Sequence, residues 1–397
     1  MECDRGYMVA YDAKIPGTSM TFRMVPAPGG VAPMPGDPSG STKVRLAPYW
    51  IAAHEVTWAE YWRYMELDTS FGRLEALRAM LGTKGKDAET LRSILKQSER
   101  LATAVAAKAE EVDGVTAPTP LYDPSATYES GQEPGLPAVT MSPFAARQYT
   151  KWLSVISGVD YRLPSEAEWE HAARAGGGDY GAGAEQPVTA DNLGDYAWTT
   201  DNSDYVAHLV GKKKPNAWGL YDVLGNAAEW VLDGAGEEDL EGDAADGGDQ
   251  DAATDPPKTL AWSEAVRWPT GPSARIAKGG FYDAEVEDCR VESRLVSEAE
   301  EWKGSDPNIP LSPWWFTDYP ATGTGMRIVR PLKPMTAEVK RRAWEIDHPS
   351  IRNDVEKRIG GGDDGEGKGQ GKRDWLWPGL PGVRAELESR EIQKLLN

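Results

Sequence analysis

The sequence predicts an α+β fold, in which helices pack on a mixed sheet. Two short apolar segments, Met20–Val25 and Val44–Ile51, are typical of strands, and the Pro/Gly-rich stretch Pro26–Gly40 separates them as a turn region. Helices with clear start signals follow. The stretch Pro215–Trp230 has glycines bracketed by residues that bury well, which predicts a rigid folded loop.

The first helix is predicted to begin at Thr57, which can form a capping box with Glu60. Residues 70–112 then carry leucines at helical spacing on both sides of Gly82–Gly85, and we interpret them as a helical hairpin. This insertion is either a structural decoration or an arm that binds a partner.

Two further helix starts are readable from their capping residues. Ser142 is a good N-cap, and Pro143 takes the first helical position. Ser165 and Glu168 form a second capping box, and the glycine run 176–178 ends that helix.

Three further segments in the second half of the chain differ in composition from the rest. Residues 233–256 are rich in Asp, Glu, Gly and Ala, which predicts a solvated, disordered loop. Residues 333–359 are compatible with an amphipathic helix, and residues 360–371 are typical of a Gly-rich flexible linker.

Composition excludes some classes of partner. A net charge of −20 argues against nucleic acid, because phosphate binding needs clustered Lys and Arg. No apolar run approaches the roughly 20 residues of a membrane span. The N-terminus lacks the features of a signal peptide, so we expect a cytoplasmic protein, or an extracytoplasmic one (periplasm or cell surface) if a signal peptide has been removed.

The loop Pro215–Trp230 has the ligand types of a calcium site. Asp222 and Glu229 supply carboxylates, and the backbone carbonyls around Gly225 and Ala227 lie between them. Calcium prefers this mixture of carboxylate and carbonyl oxygen. The alternative is that Asp222 caps a turn and Glu229 pairs with an arginine.

Five sequence blocks carry a resemblance to a known family: Glu55–Thr57, Arg162–Glu170, Pro215–Trp230, Lys278–Gly280 and Gly325–Ile328. They occur in the order found in the formylglycine-generating enzyme or sulfatase-modifying factor family, which the chain resembles over roughly residues 20–332. The resemblance implies a C-type-lectin-like fold for a domain at 1–332, an extension at 333–397, and calcium bound by Asp222, Gly225, Ala227 and Glu229.

The family's catalytic chemistry is incomplete in this chain. Members that oxidise cysteine to formylglycine bind copper through two cysteines that are five residues apart, as thiolates. Cys289 matches the second position, but Ala284 occupies the first. The four histidines include no His-x-x-x-His pair for an iron site. Copper and iron are therefore not expected, and Cys289 is the remaining catalytic candidate.

Two aromatic clusters are candidate contacts with a protein partner. Trp314, Trp315 and Phe316 form either part of the core or a contact surface. Trp375 and Trp377, beyond the linker, either clasp the chain's own core or anchor in a groove on a partner.

From these observations we expect a non-catalytic, calcium-stabilised subunit that binds a protein partner or assembles a larger complex. The alternative is a metal-dependent oxidase that uses copper or non-heme iron at an unrecognised site.

Overall fold

The computed structural model describes the chain in several separate ranges. The predicted helical insertion at 70–112 and the tail beyond residue 360, with Trp375 and Trp377, lie outside the described residues. The described ranges are 2–3, 6–67, 116–121, 124–176, 188–236, 257–271, 274–298, 300–306 and 311–360.

Short strands are the most numerous regular elements in these ranges. They are β1 (Glu2–Cys3), β2 (Gly6–Tyr7), β3 (Tyr11–Lys14), β4 (Thr21–Ala27), β5 (Gly30–Pro33), β6 (Thr42–Leu46), β7 (Tyr49–Ala52), β8 (Ala228–Gly234), β9 (Lys258–Ala261), β10 (Arg275–Lys278), β11 (Arg294–Ser297), β12 (Thr324–Gly325) and β13 (Val329–Pro331).

The strands form three sheets and one N-terminal ribbon, β1-β2. The first sheet has the order β13-β7-β4-β3 and is antiparallel throughout. The second has the order β11-β10-β8-β12, with β12 parallel to β8. The third has the order β5-β6-β9, with β9 parallel to β6. Together with the helices, these mixed sheets confirm the α+β prediction.

The second predicted strand is wrong as a single element. Val44–Ile51 splits into β6 and β7, which lie in different sheets. Pro48 lies between them, and a proline has no backbone N–H to continue a strand ladder. The predicted turn region Pro26–Gly40 also contains β5, which pairs with β6.

The helices begin where their caps predict. Ser142 accepts a hydrogen bond from the backbone N–H of Ala145 at 3.1 Å, and Ser165 and Glu168 form the expected capping box. The helices are α1 (58–67 in the described part), α2 (Pro124–Thr127), α3 (Pro143–Ser157), α4 (Glu166–Ala173), α5 (Trp262–Ala265), α6 (Ala337–Trp344) and α7 (Pro349–Gly360). None of the helices in the described ranges combines the length and apolar character that crossing a bilayer requires.

The segment after residue 332 folds onto the body of the protein. The predicted single helix over 333–359 is wrong, because α6 ends at Trp344 and Pro349 starts α7. Trp344 is buried and donates its indole N–H to the carbonyl of Tyr161 at 3.0 Å. The Asp347 carboxylate reaches both Arg147 of α3 and Arg275 of β10. These contacts fix α6 and the turn after it against the core.

The acidic segment begins later than predicted. Asp233 and Gly234 belong to β8, and Asp233 is buried. Its two carboxylate oxygens accept hydrogen bonds from the backbone N–H groups of Glu166 at 2.7 Å and Arg267 at 2.9 Å. Residues 237–256, the rest of the predicted acidic loop, lie outside the described residues.

The buried carboxylate of Glu166 forms ion pairs with three cationic side chains where α4 packs against the second sheet. Glu166 lies 3.0 Å from the Lys278 ammonium, 2.6 Å from Arg294 Nε and 2.9 Å from Arg267 Nη2. Burial alone would raise the pKa of Glu166, but the positive charges of these three side chains outweigh it and lower the pKa to about 2.

We expect Glu166→Gln to lower the free energy of unfolding by about 3 kcal/mol near neutral pH. The reason is that the pKa of Glu166 falls by more than two units on folding, and each unit corresponds to about 1.4 kcal/mol of stability. The pKa falls from 4.5 to about 2 on folding, so this stability is present above pH 4.5 and is lost as the pH falls through about 2. Urea unfolding at a series of pH values measures it. The exposed Glu129→Gln is the control; equal costs for the two variants, or a Glu166→Gln cost that does not shrink in acid, would contradict this account.

Candidate functional site

The loop 215–230 is a rigid folded segment, as predicted. Gly225 has φ 70°, and a Cβ there would lie 2.1 Å from the carbonyl oxygen of Trp198, so only glycine fits. The Asn216 side chain accepts hydrogen bonds from the backbone N–H groups of Trp218 at 3.0 Å and Leu220 at 3.1 Å. It also donates to the carbonyl of Ala172 at 2.8 Å, which ties the loop to α4.

Glu229 and Arg327 form a buried ion pair behind this loop. Both side chains are almost completely inaccessible to solvent, and Arg327 Nη2 lies 2.7 Å from Glu229 Oε1. Arg327 Nε donates to both Glu229 oxygens at 3.0 Å, and the indole N–H of Trp169 donates to Oε2 at 2.7 Å. Every oxygen of the Glu229 carboxylate is therefore already hydrogen-bonded.

The remaining donors of Arg327 bind backbone carbonyls. Nη1 donates to the carbonyl of Ala52 at 2.9 Å, and Nη2 donates to that of Tyr221 at 2.8 Å. One guanidinium thus joins the end of β7, the loop 215–230 and β8.

Two more carboxylates are buried near this pair. Glu55 Oε1 accepts a hydrogen bond from Asn226 at 2.9 Å, and its Oε2 lies 3.9 Å from Arg327 Nη2. Asp222 Oδ2 accepts a hydrogen bond from the Gly211 N–H at 2.6 Å. Among the described residues, Glu55 Oε2 and Asp222 Oδ1 have no hydrogen-bond partner.

Burial and crowding of negative charge disfavour ionisation in this cluster. Burial raises the pKa of Glu55 well above its usual value, and the charge of Asp222 raises it further. Burial also raises the pKa of Asp222, against the opposing effect of its hydrogen bond from Gly211. No local sequence pattern indicates a separate role for Glu55, because its position beside Asp222 arises from tertiary structure.

This geometry bears on the predicted calcium ligand Glu229. Both of its carboxylate oxygens accept hydrogen bonds from Arg327, and Oε2 also accepts one from Trp169, so Glu229 has the arginine pairing that was the alternative. A cationic guanidinium in contact with the carboxylate also opposes a second cation there. In the described part of the chain, no group of three or more His, Cys, Asp or Glu side chains is arranged to hold a metal ion. Calcium binding by Asp222, Glu229 and the carbonyls of Gly225 and Ala227 stays a prediction.

Cys289 has the environment of a structural thiol. The residue is 2% exposed, and a Cβ on the neighbouring Gly280 would lie 2.6 Å from its sulfur. Burial, followed by the charge of Asp288, raises the pKa of the Cys289 thiol to about 12. Because the thiolate is the reactive form of cysteine, this raised pKa disfavours a nucleophilic role for Cys289 near neutral pH. Ala284 is buried as well.

The histidines act as structural hydrogen-bonding groups. Burial lowers the pKa of His171, which packs edge-on against Trp218 at 5.2 Å. His208 stacks on Trp198 with ring centres 3.7 Å apart. The partners are Glu55 O for His54, Pro28 O for His171, Ser203 O for His208 and Ser350 Oγ for His348.

The aromatic cluster at 314–316 is core, so the contact-surface interpretation is wrong. Trp314, Trp315 and Phe316 are 0%, 2% and 4% exposed. Trp315 packs against Tyr61 of α1 at 5.8 Å and donates its indole N–H to the carbonyl of Thr119 at 2.7 Å. The flanking prolines therefore mark a packed loop and not an exposed one.

Comparison with known proteins relates this fold to one family. A sequence model described as the sulfatase-modifying factor enzyme 1-like domain matches residues 13–304. Bovine formylglycine-generating enzyme is 26% identical over 253 residues, which are 56% of this chain and 62% of the bovine protein. The Chlamydia pneumoniae serine/threonine-protein kinase pkn1 is 28% identical over 167 residues, or 41% of this chain and 22% of the kinase.

Among solved structures, Treponema denticola variable protein 1 matches with a TM-score of 0.48 and 18% identity, covering 82% of this chain and all of that one. The chain spans less than two thirds of the length of the bovine enzyme and about a fifth of that of the kinase.

We expect Glu229→Gln to lower the melting temperature by the same amount in calcium and in chelator, because its carboxylate serves Arg327. Breaking a buried pair typically costs about 3–5 kcal/mol. Asp222→Ala is the comparison variant, and it should remove any calcium-dependent rise in melting temperature because it removes the ligand oxygen. If Glu229→Gln removes that rise and Asp222→Ala does not, Glu229 is the ligand and this assignment is wrong.

Proposed function

The chain belongs to the family with a sulfatase-modifying factor enzyme 1-like domain, with its α+β, C-type-lectin-like fold, and we propose that it is a non-catalytic member that binds a protein partner or assembles a complex. The proposal depends on which residues occupy the two positions that match the family's copper-binding cysteines. Ala284 has no ligand atom, and Cys289 is a buried thiol whose pKa is about 12.

A copper site does not fit these residues. Soft Cu(I) is selected by thiolate ligands, and a linear site needs two of them. Cys289 is a free cysteine, and Ala284 supplies no second thiol beside it. We therefore derive no oxidation step through copper for this chain.

The scaffold supports a binding role because it is rigid where the family's chemistry would lie. The loop 215–230 is held by Asn216 on one side and by Arg327 on the other. The segment after β10 is held by the backbone N–H of Cys289, which donates to the carbonyl of Glu285 at 3.2 Å. Function is set by the site and not by the fold, so a scaffold without its metal ligands is free to serve recognition.

The proposal has two further parts, a stabilising calcium ion and the charge of the partner. Calcium is included as a stabilising ion through Asp222, whose Oδ1 lacks a hydrogen-bond partner in the described ranges. The net charge of −20 favours a partner with a basic surface, since complementary charge speeds association.

The test is a gain-of-function comparison at the copper position. Wild type should bind well under one equivalent of Cu(I) and leave a Cys-x-Pro-x-Arg peptide unchanged by mass spectrometry. Ala284→Cys supplies the missing ligand and should raise Cu(I) binding, whereas Cys289→Ser in the wild-type background should leave the folding of the protein nearly unchanged. Conversion of the peptide to formylglycine by wild type, with loss of that conversion in Cys289→Ser, would contradict the proposal.

A further inference from the structure

A cavity of about 430 Å³ lies beside Cys289, outside the cluster around Arg327. Four parts of the chain line it: Arg174 at the end of α4, residues 188–193 at the start of the short 3-10 turn Ala190–Asp195, Leu224 of the loop 215–230, and the segment 286–292 that follows β10. Its volume is within the range of about 300–1,000 Å³ that is usual for small-molecule sites.

The floor of this cavity is apolar. Four of its lining residues, Leu193, Leu224, Cys289 and Val291, are each at most 5% exposed. The Cys289 thiol is neutral, so it adds no charge to the wall. An apolar floor favours an apolar ligand, because both apolar surfaces leave water on binding.

The mouth of the cavity carries charges that balance. Arg174 Nη2 lies 2.6 Å from Glu292 Oε1, so these two mouth residues form an ion pair. Arg290 donates a hydrogen bond from its Nε to the backbone oxygen of Glu287, and both side chains line the same mouth. Two arginines and two glutamates leave no net charge, which gives a charged head group on the ligand little advantage.

We propose that this cavity binds a small uncharged apolar molecule. The binding energy comes from removing the apolar surfaces of the ligand and of the floor from water. The balanced mouth sets the preference for a neutral ligand over a charged ligand of the same shape. The inference goes beyond the proposed function, because it does not depend on whether the protein also binds a partner.

The experiment uses two fluorescent probes that share one apolar body. N-phenyl-1-naphthylamine is neutral, and 1-anilinonaphthalene-8-sulfonate carries an added sulfonate. Titrating the full chain should show saturable binding of the neutral probe, with the sulfonate probe no tighter. A failure of the neutral probe to bind, or tighter binding of the sulfonate probe, would overturn the proposal.

A second experiment tests whether the probe binds in this cavity, by placing a large side chain at the cavity mouth. Ala190 is exposed and lines the cavity, so Ala190→Trp should weaken binding of the neutral probe at least about tenfold. Ala217→Trp is the matched control, because Ala217 is also exposed and does not line the cavity. Melting curves show that both variants fold. Equal binding by the two folded variants would place the probe elsewhere and overturn the assignment.

Discussion

The ion pair between Arg327 and Glu229 is the interaction on which the rest of the structure depends. Arg327 follows β12, and its donors reach Glu229 on β8, Ala52 at the end of β7 and Tyr221 in the loop 215–230. Trp169 of α4 completes the set by donating to Glu229. One buried guanidinium therefore fixes the relative positions of two sheets, one helix and the loop that the candidate site is built from. Because a buried pair with satisfied hydrogen bonds leaves a costly unpaired charge when one partner is removed, the whole arrangement is sensitive to either residue.

The Arg327–Glu229 pair also affects how well the carboxylates of the loop 215–230 can bind a metal ion. Glu229 carries the sequence signature of a ligand, yet its oxygens are taken by Arg327 and Trp169. Burial raises the pKa values of both Glu55 and Asp222, and the negative charge of Asp222 raises the pKa of Glu55 further. In this protein Glu229 of the loop holds Arg327 and Trp169 in place. The pair of thiolates that copper needs is absent, because residue 284 is alanine.

Much of the fold could be predicted from the sequence where the cause is local. The caps at Ser142 and Ser165 act within one helical turn, so their residues alone determine the helix starts. Gly225 could be recognised because its backbone conformation and close approach exclude a side chain. The order of short sequence blocks identified the family, since each block carries its own packing requirement.

The features that could not be predicted from the sequence depend on contacts between residues that are far apart in the chain. Glu229 and Arg327 are 98 positions apart, so no local pattern decides between a calcium ligand and an ion pair. The burial of Trp314 against the helices and the pKa of Cys289 likewise come from surroundings supplied by distant segments. The division of Val44–Ile51 between two sheets follows from Pro48 and from the pairing of β6 with β9, which lies more than 200 residues later.

The central claim is that Arg327 and Glu229 act as one unit, and a double-mutant cycle measures this most directly. The free energy of unfolding would be determined for wild type, Arg327→Met, Glu229→Met and the double variant. If the pair organises the fold, each single change costs about 3–5 kcal/mol, and the double variant costs about 2 kcal/mol or more less than the sum of the two. Costs that add within about 0.5 kcal/mol would show that the two residues act independently and would contradict the account.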